Sequence, residues 1–190
     1  IIFKDVIALI KASIERNLQI TVVLINDYAM KECSVHSIEA AKEELFNYVL
    51  VEQKKQPLTL RLSRIKNVFI LNRARELTPL IAENFARQIK YGVQHPINLK
   101  ERDTIIVKLS KTGERLFKRM YVYRPLVEKI EGDLYYFDCS YEAVLHYFKR
   151  FGQEAIIISP KSLQRQMMNF YFAASRRYRE IANKTPTSSE

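Results

Sequence analysis

The sequence predicts an α+β chain of two small modules: one helix with a strongly bent five-stranded β-barrel, then a strand-helix-strand-strand-helix-strand module closed by a long helix. Three observations lead there. Five short β-prone runs follow a single amphipathic helix, and a small sheet of that kind removes its exposed edges by closing on itself. After a second helical stretch, the strand and helix patterns come in the order β-α-β-β-α-β, the ferredoxin-like order, in which both helices cover one face of the sheet. Finally, 190 residues that are 47% hydrophobic, with 4 Gly and 6 Pro, describe an ordered globular chain with room for one domain or two small ones.

The elements follow in order. Val6, Ile7, Ile10 and Ile14 recur at helical spacing over residues 3–16, with Asn17 as the stop. Strands are predicted at residues 20–25, 35–41, 46–51, 58–62 and 68–71, separated by polar turns such as Asn26-Asp27 and Lys54-Lys55-Gln56-Pro57. Leu80, Ile81, Phe85 and Ile89 mark a helix over 78–91, with Pro79 in its first turn and Gly92 beyond its end. The second module reads as strand 104–109, helix 112–120, strand 126–130, a Glu131-Gly132-Asp133 turn, strand 134–139, helix 141–151 and strand 155–158. A last helix is predicted from about 160 to 181, and a loose tail over 185–190. The expected division is therefore a barrel at 1–72, a helical linker at 73–100, a ferredoxin-like module at 101–160, and a C-terminal helix and tail at 161–190.

The formal net charge is +10 with a pI near 9.6, which fits an acidic partner such as nucleic acid. The excess falls outside the two sheet-forming segments. Residues 1–72 carry +2 and 101–160 carry +1, whereas 73–100 carry +3 and 161–190 carry +4. No apolar run reaches the ~18 residues of a membrane helix, and no secretory leader pattern is present, so a cytoplasmic protein is expected. Cys33 and Cys139 have no Cys or His at ligand spacing and suit a reducing compartment. Nucleophile-elbow, P-loop, dinucleotide-turn and metal-helix motifs are all missing, so neither an enzyme nor a cofactor or metal is expected. His95 and His146 receive no role. The first residue, Ile1, already falls inside a helical pattern, and a preceding segment is expected.

The segment Thr59-Leu60-Arg61-Leu62-Ser63-Arg64-Ile65 carries the most chemistry. Two guanidinium groups three residues apart at a strand end suit an anion better than a core. Alternation places Leu58, Leu60 and Leu62 on one face and Thr59, Arg61 and Ser63 on the other. Arg64 joins Arg61 only if the chain turns tightly over 63–66. With Tyr48 from the preceding strand as hydroxyl or stacking face, Tyr48, Thr59, Arg61, Ser63 and Arg64 make a pocket for phosphate or a nucleotide. The competing reading pairs Arg61 with Glu39, Glu43 or Glu44 and lets Tyr48 merely pack. His36 either reaches this pocket from the strand before or packs as a bystander. The aromatics Tyr135, Tyr136, Phe137, Tyr141, Tyr147 and Phe148 read as core rather than as an RNA-stacking surface.

The stretch Leu45 to Val51, the spacer, the arginine segment and Val68-Phe69-Ile70-Leu71 together resemble the WYL domain of bacterial transcription regulators. In that register Asn47-Tyr48-Val49 stands at the name-giving Trp-Tyr-Leu, with only the tyrosine kept. Residues Arg61 to Ile65 match the family's Arg-Leu-Asp-Arg-Ile at four of five positions, Ser63 replacing the acid, and Leu58 stands where many relatives carry arginine. Phe151-Gly152, the strand after it and Pro160-Lys161-Ser162-Leu163 resemble the C-terminal extension that often follows such a domain. The resemblance implies an Sm-like/SH3-like barrel in which the tyrosine and arginines line a site for a nucleic acid strand or nucleotide-like ligand. It also implies a DNA-reading helix-turn-helix upstream of Ile1. A homodimer is expected on general symmetry grounds and from paired operator half-sites. Two alternatives stand beside a ligand-sensing regulator fragment: a stand-alone nucleic-acid-binding module and a structural dimerisation unit with no ligand.

Overall fold

The computed structural model describes residues 2–42 and 44–183. The tail expected over 185–190 and Glu43 lie outside the described residues. The fold is mixed α+β, with two antiparallel sheets and five helices, and the chain divides into two compact units, residues 1–102 and 103–190.

In the first unit, helix α1 (Ile2–Glu15) turns Val6 and Ile10 into the core, and Asn17 at φ 54° redirects the chain into strand β1 (Leu18–Leu24). Strands β2 (Ala29–Ala40), β3 (Asn47–Gln53), β4 (Gln56–Arg61) and β5 (Ile65–Ala74) complete one sheet in the order β4-β3-β2-β1-β5. Strand β2 starts six residues earlier than the sequence predicts. Its first half carries Lys31 and Glu32 outward, and Glu32 at φ 56° interrupts the alternation that would have signalled a strand. Irregular register on β1, and between Val35 and Ser37 of β2, bends the sheet around a core that includes Ile20, Val22, Val35, Val49, Val51 and Ile65.

Helix α2 (Pro79–Tyr91) lies on the opposite face of β3 and β4. There Ile81 and Phe85 form a second apolar cluster with Leu50 and Val93. The helix is anchored by Glu52, whose buried carboxylate accepts hydrogen bonds from the Thr78 backbone N–H at 2.7 Å and the Thr78 hydroxyl at 2.5 Å. A carboxylate against the first turn also meets the positive end of the helix dipole.

The second unit holds strands β6 (Ile105–Leu109), β7 (Lys129–Glu131), β8 (Leu134–Phe137) and β9 (Ala155–Ser159) in the order β7-β8-β6-β9, all antiparallel. Helices α3 (Lys111–Arg119) and α4 (Tyr141–Phe148) start at Ser110 and Ser140, whose hydroxyls accept from the N–H groups of Gly113 and Ala143. Between sheet and helices sits an aromatic core. Phe117 packs against Tyr135, Phe137, Tyr147 and Phe148 at centroid distances of 5.1–6.4 Å. Tyr136, on the other face, donates to Glu131 instead. Helix α5 (Lys161–Ala182) buries only Leu163 and Met167.

Candidate anion-binding site

The site grows out of the β3–β4 hairpin. A two-residue turn at Lys54 and Lys55, both at positive φ, sets the register so that Tyr48 faces Arg61 and Leu50 faces Thr59. Those four residues share the outer face of the hairpin, while Leu58 and Leu60 turn toward the core enclosed by the sheet and α1. A 3-10 turn over Leu62–Arg64 then reverses the parity. Leu62 points back into the core, and the Arg64 carbonyl accepts from the Ile25 N–H at 3.0 Å, which ties the turn to the end of β1. This is the tight turn that a convergence of Arg61 and Arg64 requires.

Tyr48, Thr59, Arg61 and Arg64 line a cleft of about 290 Å³. Leu24 and Leu60 supply an apolar wall, and Gln94 and Pro96, from the segment after α2, close the far side. Among the described residues no acidic side chain lines it. The volume lies near the lower end of small-molecule sites.

Each side chain is held differently. The Thr59 hydroxyl accepts from the Gln88 amide at 2.8 Å, and the same amide nitrogen donates to the Val93 carbonyl at 2.7 Å, which couples α2, the strand and the cleft wall. The Tyr48 hydroxyl donates to Glu44 at 2.6 Å. The Arg61 guanidinium lies 3.0 Å above the centre of the Phe46 ring, so one π-face supports the fork. Its Nε is buried with no hydrogen-bond partner among the described residues, and the buried Oε1 of Gln94 is likewise unmet. Neither Arg61 nor Arg64 enters an ion pair among the described residues, with Glu39 or Glu44 in particular. Buried donors without partners cost on the order of 1–3 kcal/mol each, and an incoming anion is one way to recover that.

Two of the sequence-predicted residues stand apart. Ser63 sits exposed on the 3-10 turn and is not part of the cleft lining. His36 packs against Phe85 at a ring-centroid distance of 5.2 Å, its buried Nδ1 without a hydrogen-bond partner among the described residues. Burial depresses its pKa, Glu39 pulling it up and Arg75 pushing it further down, which favours a neutral ring. Conversely, Phe46, Gln88 and Gln94 were not singled out in the sequence. Phe46 had a signal, as an aromatic at the edge of a strand that carries its own tyrosine. The two glutamines had none, because only the fold of α2 over the hairpin brings them in. No group of His, Cys, Asp or Glu suited to a metal ion occurs among the described residues.

An α+β chain with a cationic cleft is the class that fold and site define. One solved structure, that of a CRISPR Cas-related protein, is similar over 94% of this chain and 53% of its own length, with a TM-score of 0.66 and 18% identity. The two share a fold, and the present chain spans about half the length of that protein. Proteasome accessory factor B/C (PafBC) of Arthrobacter aurescens overlaps 93% of this chain and 27% of its own at 17% identity, but its TM-score of 0.37 is too low to establish a common fold. No family model and no curated protein matches the sequence. No helix among the described residues is long and apolar enough to cross a membrane.

Proposed function

We propose that this chain is the ligand-sensing and oligomerising region of a WYL-family bacterial transcription regulator, which binds a nucleic acid strand or nucleotide-like anion and relays that event to a DNA-binding domain. The observation that carries the reading is the convergence of Arg61, Arg64, Thr59 and Tyr48 on one cleft. In this reading the first unit is an Sm-like, SH3-like barrel, supported by the strand order β4-β3-β2-β1-β5 with a 3-10 turn between β4 and β5. The second unit is a ferredoxin-like module, supported by the order β7-β8-β6-β9.

The chemistry is binding, not catalysis. Arginine presents parallel N–H donors to two oxygens of a phosphate, and Arg61 does so from a plane fixed by Phe46. Arg64 brings a second positive charge, and the Thr59 and Tyr48 hydroxyls supply shorter-range selection. Regulation then requires that the ligand prefer one of two conformations of a homodimer, since equal affinity for both shifts nothing. The test is titration of the chain with a 5′-phosphorylated single-stranded oligonucleotide. Two charge-assisted contacts are at stake, so Arg61→Ala with Arg64→Ala weakens binding by tenfold or more. Unchanged affinity in that variant removes the site.

A further inference from the structure

A second cationic surface lies on the other unit, on helix α3. The helix buries Gly113 and Phe117 and exposes Lys111, Arg115, Lys118 and Arg119. Lys111, Arg115 and Arg119 follow one another at four-residue intervals, so their charges recur about every 6 Å along a single face. Like charges at that spacing disfavour a helix, and Lys111 also sits in the first turn, against the dipole. None of the four enters an ion pair among the described residues, whereas Lys108, Lys129 and Arg176 of the same unit each have a carboxylate neighbour.

Two further observations give the face a shape. Thr112, Arg115, Leu116 and Arg119 line a hollow of about 310 Å³. Within it Arg115 is already oriented, Nη2 donating to the Thr112 hydroxyl at 3.2 Å and Nε to the Lys111 carbonyl at 3.4 Å. Immediately past the helix end stands Tyr121, 72% exposed and two residues from Arg119. A row of cations followed in the chain by an exposed aromatic ring supplies the two elements that grip successive phosphates and stack a base.

We propose that the exposed face of α3, with Tyr121 at its end, is a contact surface for a single strand of nucleic acid, separate from the Arg61–Arg64 cleft. Arg115 and Arg119 hold phosphates, Lys111 and Lys118 extend the positive track, and Tyr121 stacks on a base. The surface does not depend on the cleft being occupied.

The test uses the full chain carrying Arg61→Ala and Arg64→Ala, so that the cleft contributes nothing. Anisotropy of a labelled oligothymidylate of about 20 nucleotides, longer than the ~4–16 nucleotides one small fold covers, is followed over about 50–200 mM salt. Adding Arg115→Gln and Arg119→Gln should lower the slope of log affinity against log salt by about 1.4, at about 0.7 per strand phosphate released. Tyr121→Ala should weaken binding about tenfold and leave that slope alone. The control is Arg176→Gln with Arg177→Gln, which removes the same charge from α5 and should change the slope far less. Equal losses from both arginine pairs would mean that net charge alone acts, and would overturn the proposal. Failure of the cleft-disabled chain to bind would overturn it too. Arg61 is half-buried and the other substituted side chains are exposed, and far-UV circular dichroism checks that the fold is kept.

Discussion

Replacing Gln88 with leucine probes how the cleft wall is held. Gln88 is 1% exposed, and its amide nitrogen serves both the Thr59 hydroxyl and the Val93 carbonyl. Leucine has nearly the same volume, so no large cavity opens. The Val93 carbonyl, on a residue that is 3% exposed, loses this donor, which costs about 1–3 kcal/mol. Losing the bond to Thr59 adds about 1 kcal/mol, and the apolar gain of a buried leucine offsets part of the total. The expected net loss is about 2 kcal/mol, a fall in Tm on the order of 10 °C for a unit of this size. Differential scanning calorimetry measures it, with Glu83→Gln on the exposed side of α2 as the reference, expected within about 0.5 kcal/mol of the parent. Should Gln88→Leu match that reference, the bridge from α2 to the cleft does not hold the wall.

Two other outcomes follow from particular contacts. A Cβ at Gly113 would come 2.2 Å from the Glu154 carbonyl oxygen, a backbone atom that cannot swing away, so Gly113→Ala destabilises the second unit by about 1–3 kcal/mol despite alanine's better helix propensity; a stabilised variant in urea unfolding refutes that packing. His36 has a depressed pKa in the folded chain, so the unfolded chain binds the extra proton first. Stability is therefore full above the ordinary histidine pKa of about 6.5 and declines as pH falls through and below it. Melting curves between about pH 5 and pH 8 should show that decline, and His36→Gln should flatten it.

Much of the fold was legible because its signals are local. Helix α2 could be bounded from Pro79 and Gly92, and Gly92 does adopt φ 131°, where a side chain is strained. The spacing of Arg61 and Arg64 demanded a tight turn, and a 3-10 turn occupies that position. What stayed hidden depends on distant parts of the chain. No periodicity says that α2 returns over the outer face of β3 and β4, so neither Gln88 nor Gln94 could be assigned to the cleft. The same packing explains His36, since the ring of Phe85 arrives from α2 to cover it. Phe46 read as the first residue of a strand, yet the strand begins at Asn47 and the ring lies against Arg61. The early start of β2 was masked by Glu32, whose left-handed backbone breaks the alternation on which strand reading relies.

The central claim, that Arg61 and Arg64 together grip an anion, is tested most directly by NMR of the arginine Nε–H groups during titration with a 5′-phosphorylated single-stranded oligonucleotide. Arg61 Nε has no hydrogen-bond partner among the described residues, so its signal reports any new acceptor. The account predicts saturable shifts of the Arg61 and Arg64 signals with a common midpoint. Saturable shifts confined to other arginines, with these two unmoved, would contradict it.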